Sequence, residues 1–449
     1  MPNQPNHPPM PSSFRPSLLT IAFACILFTA PSLTAQDRVA SALPSDVEDN
    51  LDHAATDWGW WRGPHRMGTA NPNQKPPLEF GNDKNVLWQA TVPGRGFGSP
   101  IVVGNRVFLA TSDESTGAQS ILAYDRTSGK RLWQTTVHAD GGMKKNAKST
   151  MASGSPACDG QHIFINFPNS GGLHTTALDM SGRRLWQVKI CDYVEHQGYG
   201  ASPALYRDLV IVSADNKGGG AIAALNRATG EVVWKRDRPA LPNYPSPILL
   251  RIGGIDQVIM VGCDQIVSYS PLTGKTLWET AGATTECVTS TVTDGKHVYT
   301  SGGYPTNHMS AILADGSAKL AWQNKERLYV PSLVIHDGYL YGVLDAGIAM
   351  CWKADTGEEM WKERLGGTFS SSAVLVGDQV FISNEEGDFF IFRATPKAYE
   401  ELAKNHLGDL VMATPAICGN QIFHRVSNSA ADGSMQEVLY CLETQKSSE

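Results

Sequence analysis

The chain has 449 residues and a formal net charge of −7 at pH 7, so its charge gives no electrostatic indication of nucleic acid as a partner. Gly (43) and Pro (26) are plentiful while charged residues make up only 18%, a composition that favours a turn-rich all-β protein. The hydrophobic content of 41% is enough to bury a sizeable core and excludes a disordered chain.

Residues 1–35 predict a secretory signal peptide. Arg15 precedes an apolar run at residues 17–30, which is too short to span a bilayer but has the length of a signal-peptide core. Cleavage after Ala35 would place Leu33 where a small residue is preferred, so an uncleaved anchor remains the alternative. We expect an exported protein, periplasmic or extracellular, with no transmembrane segment in the mature chain.

Internal repeats determine the predicted fold. Eight segments each contain two short apolar runs separated by Gly, Asp or Asn, which is typical of a β-hairpin. Six are followed by a second unit of strand, Gly-containing turn and strand that ends on Trp, as in LAYDRTSGKRLW at residues 122–133. Four strands in about 45 residues is the period of a propeller blade. The eight segments begin at Ser99, Ser155, Ser202, Ser246, Ser290, Pro331, Ser372 and Thr414.

The two ends of the repeat region are complementary. The last repeat ends near residue 443 without a fourth strand, whereas NVLWQATV at residues 85–92 precedes the first repeat as an unpaired strand. Pairing the two would remove the open sheet edges that invite aggregation. The sequence therefore predicts an all-β, eight-bladed propeller over 85–443, closed by its N- and C-terminal strands. A linker with a W-R-G-P segment (36–84) precedes it and a short tail (444–449) follows.

Seven tryptophans recur at one position of the repeat, and we expect them to pack between neighbouring blades, each burying roughly 150–250 Å². The seventh repeat departs from this pattern at residues 399–407, where Leu402 or Ala403 takes the Trp place and a short helix is expected. The seven are Trp88, Trp133, Trp186, Trp234, Trp278, Trp322 and Trp361.

Seven cysteines follow the predicted signal peptide, an odd number, with no C-x-x-C motif and no adjacent pair. Neither a zinc site nor a regular disulfide framework is indicated. Cys351 and Cys441 align with small residues such as Ala123 in other repeats, so we expect free thiols that fill a small buried slot.

The repeat, with its Ser-Pro start and its A-L-D-x-x-T-G-x-x-x-W end, resembles the pyrroloquinoline-quinone-like propeller repeat. That family includes quinoprotein dehydrogenases and the propeller lipoprotein of the bacterial outer-membrane assembly machine. The resemblance covers residues 85–443 and implies a fold but no particular activity. WWRGPHRMG at residues 60–68 and VPGRGFGSP at 92–100 also resemble a group of exported bacterial propellers with an N-terminal W-R-G-P element.

The resemblance raises a quinone-dependent dehydrogenase as the alternative function. In such enzymes the quinone lies between a tryptophan and a vicinal disulfide, beside a calcium ion. This sequence has no Cys-Cys pair, Trp352 stands at a core position of the repeat, and residues 215–220 lack the carboxylate spacing of a calcium loop. His196 and His308 stand in predicted loops without partners at ligand spacing. We therefore predict no catalytic residue, metal or cofactor, with pyrroloquinoline quinone and calcium as the alternative.

The loops of one propeller face are the remaining candidates for a site. Loops from the fourth strand of a blade to the first strand of the next share this face with the loops between second and third strands. Here they carry aromatic residues beside charges of both signs, which suits a binding face. The sequence thus predicts a non-catalytic binding or scaffold propeller whose partner is a protein, a peptide or an envelope polymer, not nucleic acid. The candidate binding-face residues are Arg95, Phe97, Tyr199, Tyr244, Glu286, Arg327 and Tyr329.

Overall fold

The computed structural model describes residues 47, 51 and 54–445. The predicted signal peptide and the last four residues lie outside this part of the chain. A search of the described residues for a helix with the length and apolar character needed to cross a membrane found none.

Thirty-two strands within the described residues form eight antiparallel sheets of four strands each. The first strands of neighbouring blades lie side by side, and the first strand of blade 1 also lies beside that of blade 8. This arrangement confirms the predicted eight-bladed propeller. We number the blades in chain order.

The strand bounds follow the repeats. Blades 1–3 consist of β2(Ile101–Val103), β3(Arg106–Ser112), β4(Gln119–Asp125) and β5(Arg131–His138); β6(Ala157–Cys158), β7(His162–Asn169), β8(Gly172–Asp179) and β9(Arg184–Asp192); β10(Ala204–Tyr206), β11(Leu209–Ser213), β12(Gly220–Asn226) and β13(Val232–Arg238). Blades 4–6 consist of β14(Ile248–Ile252), β15(Ile255–Gly262), β16(Gln265–Tyr269) and β17(Thr276–Ala281); β18(Val292–Thr293), β19(His297–Gly302), β20(His308–Leu313) and β21(Leu320–Asn324); β22(Val334–His336), β23(Tyr339–Val343), β24(Ile348–Lys353) and β25(Glu359–Arg364). Blade 7 consists of β26(Val374–Val376), β27(Gln379–Ser383), β28(Asp388–Arg393) and β29(Glu401–His406), and blade 8 of β30(Ala416–Cys418), β31(Gln421–Ser429), β32(Met435–Leu442) and β1(Val86–Thr91).

Blade 8 closes the ring with a strand from each end of the chain. β1 pairs antiparallel with β32, with Trp88 opposite Cys441 and Thr91 opposite Val438. The closure predicted from the unpaired strand at residues 85–92 is therefore confirmed. Strand β1 thus supplies the outer, fourth strand of blade 8, and β32 is hydrogen-bonded on both sides like the third strand of every other blade.

Each docking tryptophan joins its blade to the next one. In six of the seven, the indole Nε1 donates to a backbone carbonyl in the β-turn between the third and fourth strands of the following blade, at 2.7–3.1 Å. In five junctions the turn glycine lies against the indole, so close that an added Cβ would stand 2.5–2.7 Å from the nearest side-chain atom. The turn Gly of one repeat is thus required by the Trp of the repeat before it. The five glycines are Gly129, Gly182, Gly230, Gly274 and Gly357.

Trp278 is the exception in hydrogen bonding. The equivalent turn position of blade 5 is Ala318, which keeps the left-handed conformation of the glycines at a φ of 51°. Trp278 Nε1 donates instead to Gln257 Oε1 within its own blade, at 2.7 Å. A side-chain acceptor therefore satisfies the indole at the junction where the turn carries a Cβ.

In blade 7 the large and the small residue of one strand pair have changed places relative to blade 6. Ala403 pairs with Ile391, whereas Trp361 at the same place in blade 6 pairs with Cys351. Residues 401–406 form strand β29, so the predicted short helix is wrong, because the pairing with β28 supplies the backbone hydrogen bonds that a helix would have made internally. Phe80 covers this side of the blade and packs edge-on against Phe389 at a centroid distance of 5.0 Å.

The cysteines occupy the predicted kind of slot. Cys351 and Cys441 face Trp361 and Trp88 across their strand pairs and are fully buried. All seven cysteines of the described residues are free thiols. Trp352 is also buried in the core, as expected from its position in the repeat.

A circle of hydrogen bonds joins the blades at the centre of the ring. The backbone N–H of the hydroxyl residue before one first strand donates to the side-chain oxygen of its counterpart in the next blade, and seven such links measure 2.8–3.0 Å. The link from Thr414 to Ser99 joins blade 8 to blade 1. At the junction of Ser246 and Ser290, the Ser290 hydroxyl accepts from Trp61 Nε1 at 2.8 Å. The residues of this hydroxyl ring are Ser99, Ser155, Ser202, Ser246, Ser290, Ser332, Ser372 and Thr414.

Two truncations test the closure. A chain that begins at residue 85 lacks the N-terminal segment but keeps β1, whereas a chain that begins at residue 93 lacks both. We expect the shorter chain to lose an additional 4–6 kcal/mol or so of unfolding free energy, because the burial of Trp88 is lost and β32 is left unpaired. Urea denaturation of both chains measures the difference, and equal stabilities would contradict closure through β1.

Substitution of a turn glycine tests the contact between Trp and Gly. Gly230→Ala should destabilise the protein by about 2–5 kcal/mol, because a φ of 77° is strained for Ala and the Cβ would stand 2.7 Å from the Trp186 ring. Gly160→Ala is the matched control: its φ is 88°, but no atom lies within 4 Å of the added Cβ, so only about 1–2 kcal/mol of strain is expected. Similar losses for the two variants in chemical denaturation would show that the indole contact contributes little.

Candidate functional site

A central cavity of about 720 Å³ opens on the face that carries the loops between blades. Six of the eight members of the hydroxyl ring form part of its inner wall, all except Ser290 and Ser332, and aromatic and charged loop residues form its outer wall.

 The ring members that line the cavity directly are six: Ser99, Ser155, Ser202, Ser246, Ser372 and Thr414.

The N-terminal segment at residues 58–75, here called the floor segment, closes the other end of the cavity. It runs past the first strands of successive blades: Trp58 forms a β-bridge with Val102 of blade 1, and Thr69 forms one with Leu375 of blade 7. Trp61 lines the cavity itself and is held by its hydrogen bond to Ser290. The cavity is therefore open at one face of the propeller and blocked by protein at the other.

Arg62 fixes the floor segment in the core. Its guanidinium donates to the carbonyls of Met67, Leu333 and Ala373 at 2.5–2.9 Å and is almost completely buried. Burial lowers the pKa of Arg62 to about 9, which still leaves the group protonated at neutral pH. Three carbonyl acceptors offset part of the cost of burying a cation. The W-R-G-P element is thus a structural part of the ring, a role that its sequence pattern does not indicate.

Six of the seven predicted binding-face residues line the cavity, which places side chains from blades 1, 3, 4, 5 and 6 around one space. Arg95 is the exception: its Nε lies 3.7 Å from Glu437 Oε1, and Arg95 itself forms a β-bridge with Ser112. The six are Phe97, Tyr199, Tyr244, Glu286, Arg327 and Tyr329.

Glu286 is the most enclosed charge of the cavity. Its side chain is 9% exposed, and its carboxylate lies 3.3 Å from His196 Nε2 and 3.4 Å from the hydroxyl of Tyr244. Burial together with the charge of Glu286 raises the pKa values of Tyr244 and Tyr329, that of Tyr329 to about 12. Both tyrosines are therefore neutral donors at physiological pH.

Two further carboxylates lie in the cavity wall. Asp345 accepts the backbone N–H of Tyr329 at 2.7 Å, and burial raises the pKa of its side chain. Glu385 binds Lys148 through both oxygens at 2.8 and 2.9 Å, which links the loop before blade 2 to blade 7. The cavity thus has acidic groups on three blades, each with a different partner.

A buried network positions the Tyr244 and Glu286 loops relative to each other. Arg238 and Asp215 form a bidentate ion pair at 2.8–2.9 Å with both side chains at most 2% exposed. Asn243 donates to Asp215 at 3.0 Å and accepts the backbone N–H of Cys287 at 2.8 Å. The residues before β14 and before β18 are therefore fixed to one ion pair inside blade 3.

Several residues of the site were not predicted from the sequence. His196 contacts Glu286, so it has a partner after all, and His308 lies in strand β20 and is buried, not in a loop. Asp345 and Glu385 occupy equivalent loops between second and third strands in consecutive repeats, a recurrence that could have identified them. No local pattern predicts that Trp61 reaches the cavity, because its neighbours there belong to distant repeats.

The cavity does not fit a quinone and calcium pair. Among the described residues, no group of three or more His, Cys, Asp or Glu side chains is placed to hold a metal ion. The three cavity carboxylates are bound to His196, to the Tyr329 amide and to Lys148, so they do not converge as one ligand set. No catalytic step through a quinone is therefore assigned to this cavity.

The buried ion pair gives a direct test of the positioning network. Asp215→Ala should destabilise the protein by about 3–5 kcal/mol in urea, because Arg238 is left buried without its partner. Asp192→Ala removes an ion pair between two exposed side chains, Asp192 at 89% and Lys189 at 49%, and should leave the stability almost unchanged. A small loss for Asp215→Ala would mean that Arg238 finds another acceptor or water.

Comparison with known proteins agrees with the fold. The chain is 24% identical over 332 residues to the outer membrane protein assembly factor BamB of Bordetella pertussis, covering 68% of this chain and 75% of that protein. It is 23% identical over 354 residues to the tetrathionate hydrolase of Acidithiobacillus ferrooxidans, covering 67% of this chain and 65% of that protein.

A solved structure with the same architecture is the quinohemoprotein alcohol dehydrogenase of Comamonas testosteroni. The TM-score is 0.61 at 12% identity, covering 89% of this chain and 82% of that one, which shows a shared fold. The family described as outer membrane protein assembly factor BamB matches residues 81–198 and 117–363, which together span more than half of the chain. The chain therefore belongs to the BamB family of repeat β-propellers.

Proposed function

We propose that this chain is an exported, non-catalytic binding propeller that holds a protein partner at its cavity face. The observation that carries the proposal is the blind central cavity: a rigid ring with an open, aromatic mouth and a floor closed by the chain's own N-terminal segment. A site of this shape can receive a projecting segment of a partner but does not let a chain pass through.

The residues of the mouth support protein recognition. Aromatic residues and Arg are the types that contribute most binding free energy at interfaces, and Phe97, Tyr244, Tyr329 and Arg327 stand together here. The loops that carry them lead into strands fixed by the hydroxyl ring, so little conformational entropy would be lost on binding.

The relatives named as assembly factors support a scaffold. The Bordetella pertussis relative is named an outer membrane protein assembly factor, whereas the Acidithiobacillus ferrooxidans relative is named as an enzyme. The cysteines of the described residues are unsuited to nucleophilic chemistry, because burial raises their pKa values, as at Cys287 and Cys351. Burial also lowers the pKa of His308 to about 4, so this histidine stays neutral at physiological pH.

Paired variants test the binding face. The mature chain is used to capture a partner from an envelope extract, and affinities for that partner are then compared. Phe97→Ala and Tyr329→Ala should each weaken binding about 30-fold, the loss expected when an aromatic interface residue is truncated. Lys130→Ala and Lys275→Ala, in exposed turns of the opposite face, should leave affinity unchanged.

Melting temperatures must be equal across the four variants for this comparison to hold. Arg126 is unsuitable as a control although it lies in the same kind of turn, because it donates to Gln421 and to the carbonyl of Cys418 and so joins blade 1 to blade 8. Equal losses from both faces would contradict the proposal. A bound-quinone absorption band after addition of pyrroloquinoline quinone and calcium would instead favour the dehydrogenase alternative.

A further inference from the structure

Glu286 has a feature that the binding function leaves unexplained. It is a carboxylate with a side chain 9% exposed, and its ion-pair partner is His196, which is charged only when protonated. Among the described residues, no Lys or Arg nitrogen lies at ion-pair distance from it. Burying a carboxylate without a full positive charge beside it is costly, so the site as it stands is electrostatically incomplete.

The cations closest to this part of the cavity are engaged elsewhere. Arg327 donates to the carbonyl of Gly303 at 3.1 Å. Lys148 is bound to Glu385, on the blade 7 side of the cavity. The cavity wall as a whole has three carboxylates against these two permanent cations, which leaves an excess of negative charge when His196 is neutral.

Two aromatic rings line the cavity wall that contains Glu286, where they could contact a bound cation. Tyr244 contacts Glu286 directly, and Tyr329 lines the same wall. A guanidinium already stacks in this cavity, because the Cζ of Arg327 lies 5.3 Å from the centroid of the Tyr329 ring. Tyrosine faces attract Lys and Arg side chains, and the attraction is stronger where water is excluded.

We propose that Glu286, with Tyr244 beside it, forms a binding site for a positively charged side chain, Arg or Lys, presented by an extended segment of the partner. We call this site, Glu286 with Tyr244, the cation seat. The inference rests on the proposed function and deepens it by naming the chemistry of the ligand. The carboxylate would accept hydrogen bonds from the incoming guanidinium or ammonium group, and the aromatic wall would contact its aliphatic stem.

The test uses two fluorescein-labelled peptides, Gly-Ser-Gly-Arg-Gly-Ser-Gly and the same peptide with citrulline in place of Arg. Citrulline has nearly the shape of Arg without its charge, so the ratio of the two affinities isolates the contribution of the cation. We expect the mature protein to bind the Arg peptide at least about tenfold more tightly, as measured by fluorescence anisotropy.

Three variants locate the effect. Glu286→Gln keeps the size of the side chain and an oxygen acceptor, and it should reduce the discrimination to about threefold or less. Glu286→Asp keeps the charge and should retain part of the preference, which guards against a folding defect in the first variant. Glu363→Gln removes an exposed carboxylate from β25 and should leave the discrimination intact.

The outcomes separate this inference from the proposed function. Equal affinity for the two peptides, failure of both to bind at millimolar concentration, or full discrimination by Glu286→Gln would overturn the cation seat. If in those cases the affinity for the captured partner still falls in Phe97→Ala and Tyr329→Ala, the proposed binding face is supported and only the cation seat is excluded. Conversely, discrimination that requires Glu286, with a captured partner insensitive to Phe97→Ala and Tyr329→Ala, would support the seat and contradict the proposed face. Preference for an uncharged sugar polymer over both peptides would also overturn it.

Discussion

The hydroxyl ring is the constraint on which the rest of the molecule depends. Each link is a single hydrogen bond worth about 1 kcal/mol, yet the links join the blades at seven of the eight junctions, including blade 8 to blade 1 through Thr414 and Ser99. They fix the spacing of the eight innermost strands, and therefore the width of the cavity. Since the loops of the cavity face lead directly into these strands, the same bonds determine where Phe97, Tyr244 and Glu286 stand.

The outer part of the ring is held by a different interaction, the packing of an indole on the turn of the next blade. The departures from this pattern are compensated locally. Where the turn contains Ala318, the Trp278 indole donates its hydrogen bond to Gln257 instead. Where blade 7 has Ala403 in place of Trp, the residue paired with it is the larger Ile391. A propeller tolerates such exchanges because each blade contacts only its two neighbours, so a change in volume has to be balanced at one junction alone.

The floor segment converts a channel into a blind cavity. Arg62 is held by three carbonyls, two of them from blades 6 and 7, and Trp61 bonds to the hydroxyl ring at blade 5. The segment is thus bound to parts of the ring that are more than 200 residues away in sequence. Glu286 lines this cavity, where His196 and Tyr244 contact its carboxylate. The proposed binding function and the proposed cation seat both follow from that geometry.

The sequence by itself determined the strands, the number of blades and the closure, because each is written in a local pattern that repeats: a Ser at the start, a Gly turn and a terminal Trp. The same topology also brought the loops of six candidate residues to one face. Only the tertiary structure decided that His196 meets Glu286 and that Lys148 meets Glu385, since these pairs join different repeats and no spacing along the chain encodes their distance. It likewise decided that residues 401–406 form a strand and that Arg95 lies beside Glu437. The physical reason is that a propeller's strands are specified by residues near in sequence, whereas its cavity is lined by loops that become neighbours only when the ring closes.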